Sequence, residues 1–336
     1  MLKRADKSYK TAHFGKWDSR FDGVSPEQMG YDVSDGTTGN STGGGKGSGG
    51  PAESEDPKLI FSLTDKTKDF ISQQHASSTP FYVQLSHYAV HLDIFFRKQT
   101  LESTNRISPG IKHNVPEFAS MTSDLDTGIG LILDHLRALG IEDNTYLFFF
   151  SDNGGRFTLP KQEAGDLDRN FPLRDGKGSM YEGGLRVPFI VMGPGIAQNV
   201  CSEVPVSALD IFPTLANLSG FSSTLPDQLD GGSLLPVLNN PAGQGKVIRR
   251  NEFMVFHQAV ARKAQSAIMH GNLKLVKTWA DNRLELFDLS QSPSESENLS
   301  DALPEERERL HRLLCNYLAE VDAETAKTTT KQQQRQ

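Results

Sequence analysis

Two short blocks hold the residue types and spacings that could do chemistry on an anionic ester. The first, Ser151-Asp152-Asn153-Gly154-Gly155, follows the aromatic run at 146–150. That run has the length and composition of a buried strand. Asp152 and Asn153 therefore sit where a strand ends, the edge at which open α/β sheets place ligands. A carboxylate beside an amide oxygen there suits a hard cation. The second block is Gly176-Lys177-Gly178-Ser179-Met180-Tyr181-Glu182-Gly183-Gly184-Leu185-Arg186-Val187-Pro188. It sets a lysine among glycines, so a point charge can approach an anion with little bulk around it. Asp, Asn and Gly also favour plain turns, and a loop lysine can be merely solvated, so each block alone is open between a turn and a site.

The elements that must position these blocks follow from periodicity. A helix is expected from Thr64 or Asp65 to about His75, then a strand over 81–86. Between 123 and 139, Leu125, Ile129, Ile132, Leu133, Leu136 and Leu139 recur at helical spacing, with Gly140 as the stop. The 146–150 strand follows, then a buried strand at 189–192 and a helix over 206–218. Helices alternating with short apolar strands imply a mostly parallel sheet sandwiched by helices. The pattern then changes to short strands at 253–260, 266–269, 273–277 and 284–288, which suit a small antiparallel sheet. A last helix carries Leu310, Leu313, Leu314, Tyr317, Leu318 and Val321 on one stripe. The expected organisation is an α/β unit over 1–245, a small α+β subdomain over 246–322 and a disordered tail over 323–336. The Gly/Ser-rich stretch 35–55 reads as a loop. It is no phosphate loop, because counting back from Lys46 puts Asn40 at the first glycine position and Gly47 follows the lysine.

Composition bounds the function classes. The chain has 336 residues, 36% of them hydrophobic, and a net charge of −7. No run of lysine or arginine provides a basic patch, which argues against a nucleic-acid surface. No stretch of about 18 apolar residues reads as a membrane span, and the first twenty residues lack the apolar centre of a signal peptide. Two distant cysteines, Cys201 and Cys315, give neither a disulfide framework nor a metal spacing. Neither compartment nor oligomeric state is legible.

Both blocks resemble the sulfatase family, whose members carry an Asp-Asn-Gly metal block followed by a Gly-Lys-Gly…Tyr-Glu-Gly-Gly segment. Thr11-Ala12-His13-Phe14-Gly15-Lys16-Trp17 is similar to the family's Gly-Lys-Trp segment, and Ser25-Pro26-Glu27-Gln28-Met29-Gly30-Tyr31-Asp32 to the stretch after it. The run 80–91, PFYVQLSHYAVH, resembles the strand that delivers an active-site histidine. Leu209-Asp210-Ile211-Phe212-Pro213-Thr214-Leu215 and Leu284-Glu285-Leu286-Phe287-Asp288-Leu289 match a later helix and strand. These blocks keep the family's order across roughly residues 1 to 300. The resemblance implies an alkaline-phosphatase-like fold and hydrolysis of a sulfate ester on a carbohydrate or aryl alcohol. It implies Lys16, His91 and Lys177 as catalytic and substrate-binding residues, and Asp152 and Asn153 as ligands of a divalent metal, by family calcium. Partners would be a sulfated small molecule or polysaccharide. Compartments such as the periplasm or lysosome would follow if a full-length start carries a signal. His87 is read as a decoy, Tyr181 and Glu182 as braces of the loop, and Trp17 as packing.

Family members use a formylglycine made from a Cys or Ser in a Cys/Ser-x-Pro-x-Arg segment ahead of Gly-Lys-Trp, with an earlier Asp-Asp pair on the metal. Only fifteen residues precede Lys16, and no Cys/Ser-x-Pro-x-Arg occurs anywhere in the chain. The expectation is an N-terminally truncated sulfatase whose nucleophile is absent, which binds metal weakly and does not turn over. Asp18 stands where the family has a histidine, so a negative charge approaches the anion unless it is paired or turned away. The alternatives are an inactive anion-binding pseudoenzyme, a phosphatase or phosphonate hydrolase of the same superfold, and an inert fragment.

Overall fold

The computed structural model describes residues 1–44, 51–159, 169–259 and 264–324. In chain order the helices and strands are α1 (Leu2–Ala5), β1 (Lys10–Gly15), β2 (Val33–Ser34), β3 (Ala52–Glu53), α2 (Ile60–Ala76), β4 (Phe81–Ser86), β5 (Phe95–Phe96), α3 (Lys98–Thr104) and α4 (Pro116–Ala138). They continue with β6 (Leu147–Phe150), α5 (Glu182–Leu185), β7 (Phe189–Met192), α6 (Ile211–Leu218), α7 (Leu235–Leu238), β8 (Phe253–Gln258), β9 (Gln265–His270), β10 (Leu273–Thr278), β11 (Arg283–Asp288) and α8 (Pro304–Glu320).

β1 is the centre of a parallel sheet ordered β2-β1-β4, with Lys10 opposite Phe81 and Gly15 opposite Ser86. Five of its six residues are buried. α2 covers one face, packing Leu63 and Phe70 on Ala12 and Phe14, while Ile132 and Leu136 of α4 join Ile71 against Phe81, Val83 and Leu85. The mostly parallel, helix-covered architecture expected from the alternating pattern is what the chain builds. The 146–150 and 189–192 runs do form strands, but β6 and β7 pair with each other, antiparallel. They are also less buried than their apolar composition implies: Phe150 and Ile190 are 41% and 59% exposed.

Beyond α7 the chain forms an antiparallel meander, β11-β10-β9-β8. Its period-two alternation uses both faces. Ile268, Leu275 and Leu286 meet Leu310, Leu314 and Leu318 of α8. Their neighbours Ala267, Val276 and Phe287 face the other way, onto Met180 and Tyr181. The second face is thus a floor for the 176–186 block.

Boundaries differ from expectation for identifiable reasons. α2 begins at Ile60 rather than Thr64, because the Asp56 carboxylate accepts from the amides of Phe61 (2.8 Å) and Ser62 (3.1 Å). Thr64 instead donates its hydroxyl back to the Ile60 carbonyl. α4 begins at Pro116, whose fixed φ suits a first helical position. The 206–218 helix is regular only from Ile211, behind a capping box between Ser207 and Asp210. The 35–55 loop contains β3, which pairs in parallel with β5. Its residues 45–50, Lys46 and Gly47 among them, lie outside the described residues, as do Val260 and 325–336 of the expected tail. Within α8 the stripe holds, although Val321 at its end is 46% exposed.

Candidate active site

The two parallel strands β1 and β4 end together, and their exits carry the first candidates. Gly15 has φ +89°, and a Cβ there would lie 2.0 Å from the Ser86 carbonyl, so only glycine lets β1 end this close to β4. Lys16 then donates its amide to that same carbonyl (2.8 Å). Its ammonium lies 3.4 Å from Asp18, which also pairs with Arg20 at 3.2 Å. The negative charge of Asp18 is therefore paired, at the cost of engaging Lys16. Trp17 is buried and donates its indole N–H to the Val24 carbonyl, a packing role as expected.

At the β4 exit, His87 has both ring nitrogens buried without a partner, and burial pulls its pKa down to about 4, with Asp56 opposing. His91 is better placed for chemistry. Its Nδ1 lies 2.8 Å from the Leu92 carbonyl, which can only accept, so Nδ1 carries the proton and Nε2 presents its lone pair. The Asn40 amide approaches that lone pair at 3.4 Å. Burial lowers the His91 pKa, and Lys177, Lys16 and Lys58 each lower it further, against the bond to Leu92. Three lysines from distant parts of the chain thus act on one imidazole.

The second pair of blocks is joined backbone to backbone. Gly154 donates to the Gly184 carbonyl (2.9 Å), and Lys177 donates to the Gly155 carbonyl (2.8 Å). A Cβ on Gly154 would fall 1.9 Å from the Gly183 carbonyl oxygen, which is why glycine stands there. The Asn170 side chain donates to Gly155 and Asp175 and closes the loop. Lys177 is held by its backbone while its side chain is exposed.

Beneath it lies a dense polar brace. Lys274, wholly buried on β10, reaches Glu182 at 2.7 Å and Glu295 at 2.9 Å. Glu295 also accepts the Glu182 amide (2.7 Å). Burial raises the Glu295 pKa, and Lys274 pulls it back. The Tyr181 hydroxyl donates to Glu285, which Arg174 and Arg283 also engage, and Gln265 accepts the Met180 amide. Tyr181 and Glu182 are braces, anchored to the C-terminal sheet.

Lys16 and Lys177 both come near enough to His91 to act on its charge. Asp152, exposed at the end of β6, has neither an ion pair nor a hydrogen bond linking it to them. The Asn153 amide donates to the Gly154 carbonyl (3.0 Å). No cluster of three or more His, Cys, Asp or Glu side chains suited to a metal occurs among the described residues. Two oxygens fall well short of the ~6 to 8 that calcium takes, so these residues alone do not make its site. Sequence reasoning missed Lys58 and Asn40. Neither sits in a chemical motif, and Lys58 enters only through a left-handed turn before α2.

The sulfatase family profile matches residues 1–221, about two thirds of the chain. The chain belongs to the sulfatase family. A second profile, the C-terminal region of N-sulphoglucosamine sulphohydrolase, matches residues 174–324. The chain is 30% identical over 262 residues to a sulfatase of Formosa agariphila, covering 72% of this chain and 46% of that protein. It is 34% identical over 186 residues to rat N-acetylgalactosamine-6-sulfatase, covering 55% and 32%. The fold is shared with the PsFucS1 sulfatase of Pseudoalteromonas sp., with a TM-score of 0.69 at 20% identity over 98% of this chain and 74% of that one. This sulfatase chain therefore spans less than half the length of those two curated relatives. No helix among the described residues is long and apolar enough to cross a membrane.

Proposed function

We propose that these residues form the anion-binding and proton-transfer half of a sulfate-ester hydrolase site whose substrate is a sulfated carbohydrate. The supporting observation is the convergence of Lys16 and Lys177 on His91, whose pKa both depress. Like charges gathered around one imidazole suit a site that takes an anion. The carbohydrate class is suggested by the rat relative, named for an N-acetylgalactosamine-6-sulfate substrate.

At neutral pH the depressed His91 imidazole is uncharged, with its proton on Nδ1 and a lone pair on Nε2. An arriving sulfate ester offsets the lysine charges, which removes part of what depresses the imidazole and lets Nε2 take a proton. When a nucleophile bonds to sulfur and the bond from sulfur to the sugar oxygen breaks, that proton passes to the leaving oxygen, while Lys16 and Lys177 hold the charge on the sulfate oxygens. Asp152 and Asn153 would contribute two oxygens to a cation, and no step here is routed through one. The nucleophile that attacks sulfur is not assigned, because the 336 residues contain no segment from which formylglycine is made.

The test pairs isothermal titration with N-acetylgalactosamine-6-sulfate and an assay of sulfate release by the same chain. The proposal expects binding that Lys177→Ala weakens by about tenfold, the order expected of a lost charge-assisted contact, and no release. Absence of binding, or metal-dependent turnover by this polypeptide, would contradict it.

A further inference from the structure

Among the described residues near this site, Lys58 is a lysine that no family motif accounts for. The residue is 2% exposed. Its backbone is left-handed, with φ +55° and ψ +29°, and Leu59 follows with φ +55°. That conformation is disfavoured for residues with a Cβ, yet two such residues stand in succession ahead of α2, and the Lys58 side chain there is buried. Once inside, Nζ has no hydrogen-bond partner. It rests 5.0 Å from the centroid of the Phe95 ring, a partial substitute for water. Burial brings its pKa down to about 8, and the buried Asp93 only partly offsets that.

A buried ammonium without a hydrogen-bond partner is costly, and such a group in a native structure calls for an explanation, of which an unfilled ligand contact is one. The 40–44 segment links Lys58 to the candidate site: its Asn40 amide approaches His91 Nε2 at 3.4 Å, and its Gly44 lies against the same Phe95 ring on which Lys58 rests. Lys58 also joins Lys16 and Lys177 in depressing His91. The surroundings repeat the pattern. Asn40 Oδ1, both nitrogens of His87 and Nδ1 of His13 are also buried without partners, on segments that meet at the ends of β1 and β4.

We infer that Lys58 is a substrate-binding residue, a third ammonium that contacts an oxygen of the sulfate group beside Lys16 and Lys177. This rests on the sulfate-ester reading above and adds a contact to it. Three lysines against one sulfate give a cradle with more positive charge than one anion needs. The surplus favours a tightly held dianion such as free inorganic sulfate, so Lys58 contributes to retention of product as well as substrate.

The test is carbon-13 NMR of the lysine side chains and the histidine rings of the full chain, titrated with pH in chloride and then in inorganic sulfate. The Lys58 resonance is assigned through Lys58→Arg. The inference expects the Lys58 pKa to rise by roughly one unit in sulfate, as a nearby anion requires, and Lys58→Met to bind sulfate about tenfold more weakly while still melting cooperatively. If His91 responds to sulfate while Lys58 does not, the inference falls and the sulfate-ester reading stands. If neither responds, both fall. An unchanged sulfate affinity in cooperatively melting Lys58→Met also overturns the inference.

Discussion

The brace under the 176–186 block and the rim formed at the ends of β1 and β4 are both rich in buried polar groups, yet they are satisfied in opposite ways. In the brace, Lys274, Glu182, Glu295, Tyr181 and Glu285 are paired within the protein, and Glu295 Oε1, which has no hydrogen bond of its own, lies 2.9 Å from the Lys274 ammonium. In the rim, His13, Asn40, Lys58 and His87 carry buried atoms with no partner. The difference teaches where each region's stability comes from. The brace anchors Tyr181 and Glu182, in the same block as Lys177, by internal charge pairing. The rim leaves several buried polar atoms without a hydrogen bond, which costs stability and leaves them available. An anion should therefore change the rim and leave the brace as it is.

The largest effect expected is in the brace. Lys274→Met strands two buried carboxylates and should cost about 3–5 kcal/mol in denaturant unfolding. A loss under about 1 kcal/mol would mean that solvent reaches the pair and would erase the contrast. In the rim, His87 keeps a pKa near 4 when folded, against an ordinary value of 6.5. Between those values the unfolded chain takes the proton first, so stability is full above about 6.5 and is lost as pH falls toward 4. The total is roughly 3 kcal/mol. His87→Leu should flatten that slope, and a slope unchanged by the substitution would show that His87 is not its source. Tyr181→Phe removes one hydroxyl from Glu285 and should cost about 1–2 kcal/mol. Smaller still, Lys177→Ala should leave stability within about 0.5 kcal/mol because the side chain is exposed. Asp18→Asn frees Lys16 from its ion pair and should tighten sulfate binding a few-fold at low salt, an advantage that disappears as salt rises.

Much of this was legible from residue types and spacing. The Lys177 loop, the Asp152-Asn153 strand end and the 80–91 run announced themselves, and the helix and strand order followed from periodicity. The burial of Lys58 was not legible, because it depends on two left-handed residues that no local pattern marks. The brace was half legible: Tyr181 and Glu182 stood inside a recognisable block, but Lys274 and Glu295 lie 92 and 113 residues from Glu182. Only the antiparallel register that turns Lys274 inward brings them together. The antiparallel pairing of β6 with β7 was hidden for a similar reason, since an apolar run of four residues does not encode the direction of its neighbour.

The central claim is that His91 sits among lysines awaiting an anion. The most direct measurement is the His91 pKa, followed by NMR of its ring in chloride and in inorganic sulfate. The account predicts a value below 6.5 in chloride that rises in sulfate, with the rise diminished in Lys177→Ala and Lys16→Ala. A His91 pKa that starts at or above 6.5, or that sulfate does not move, would contradict it.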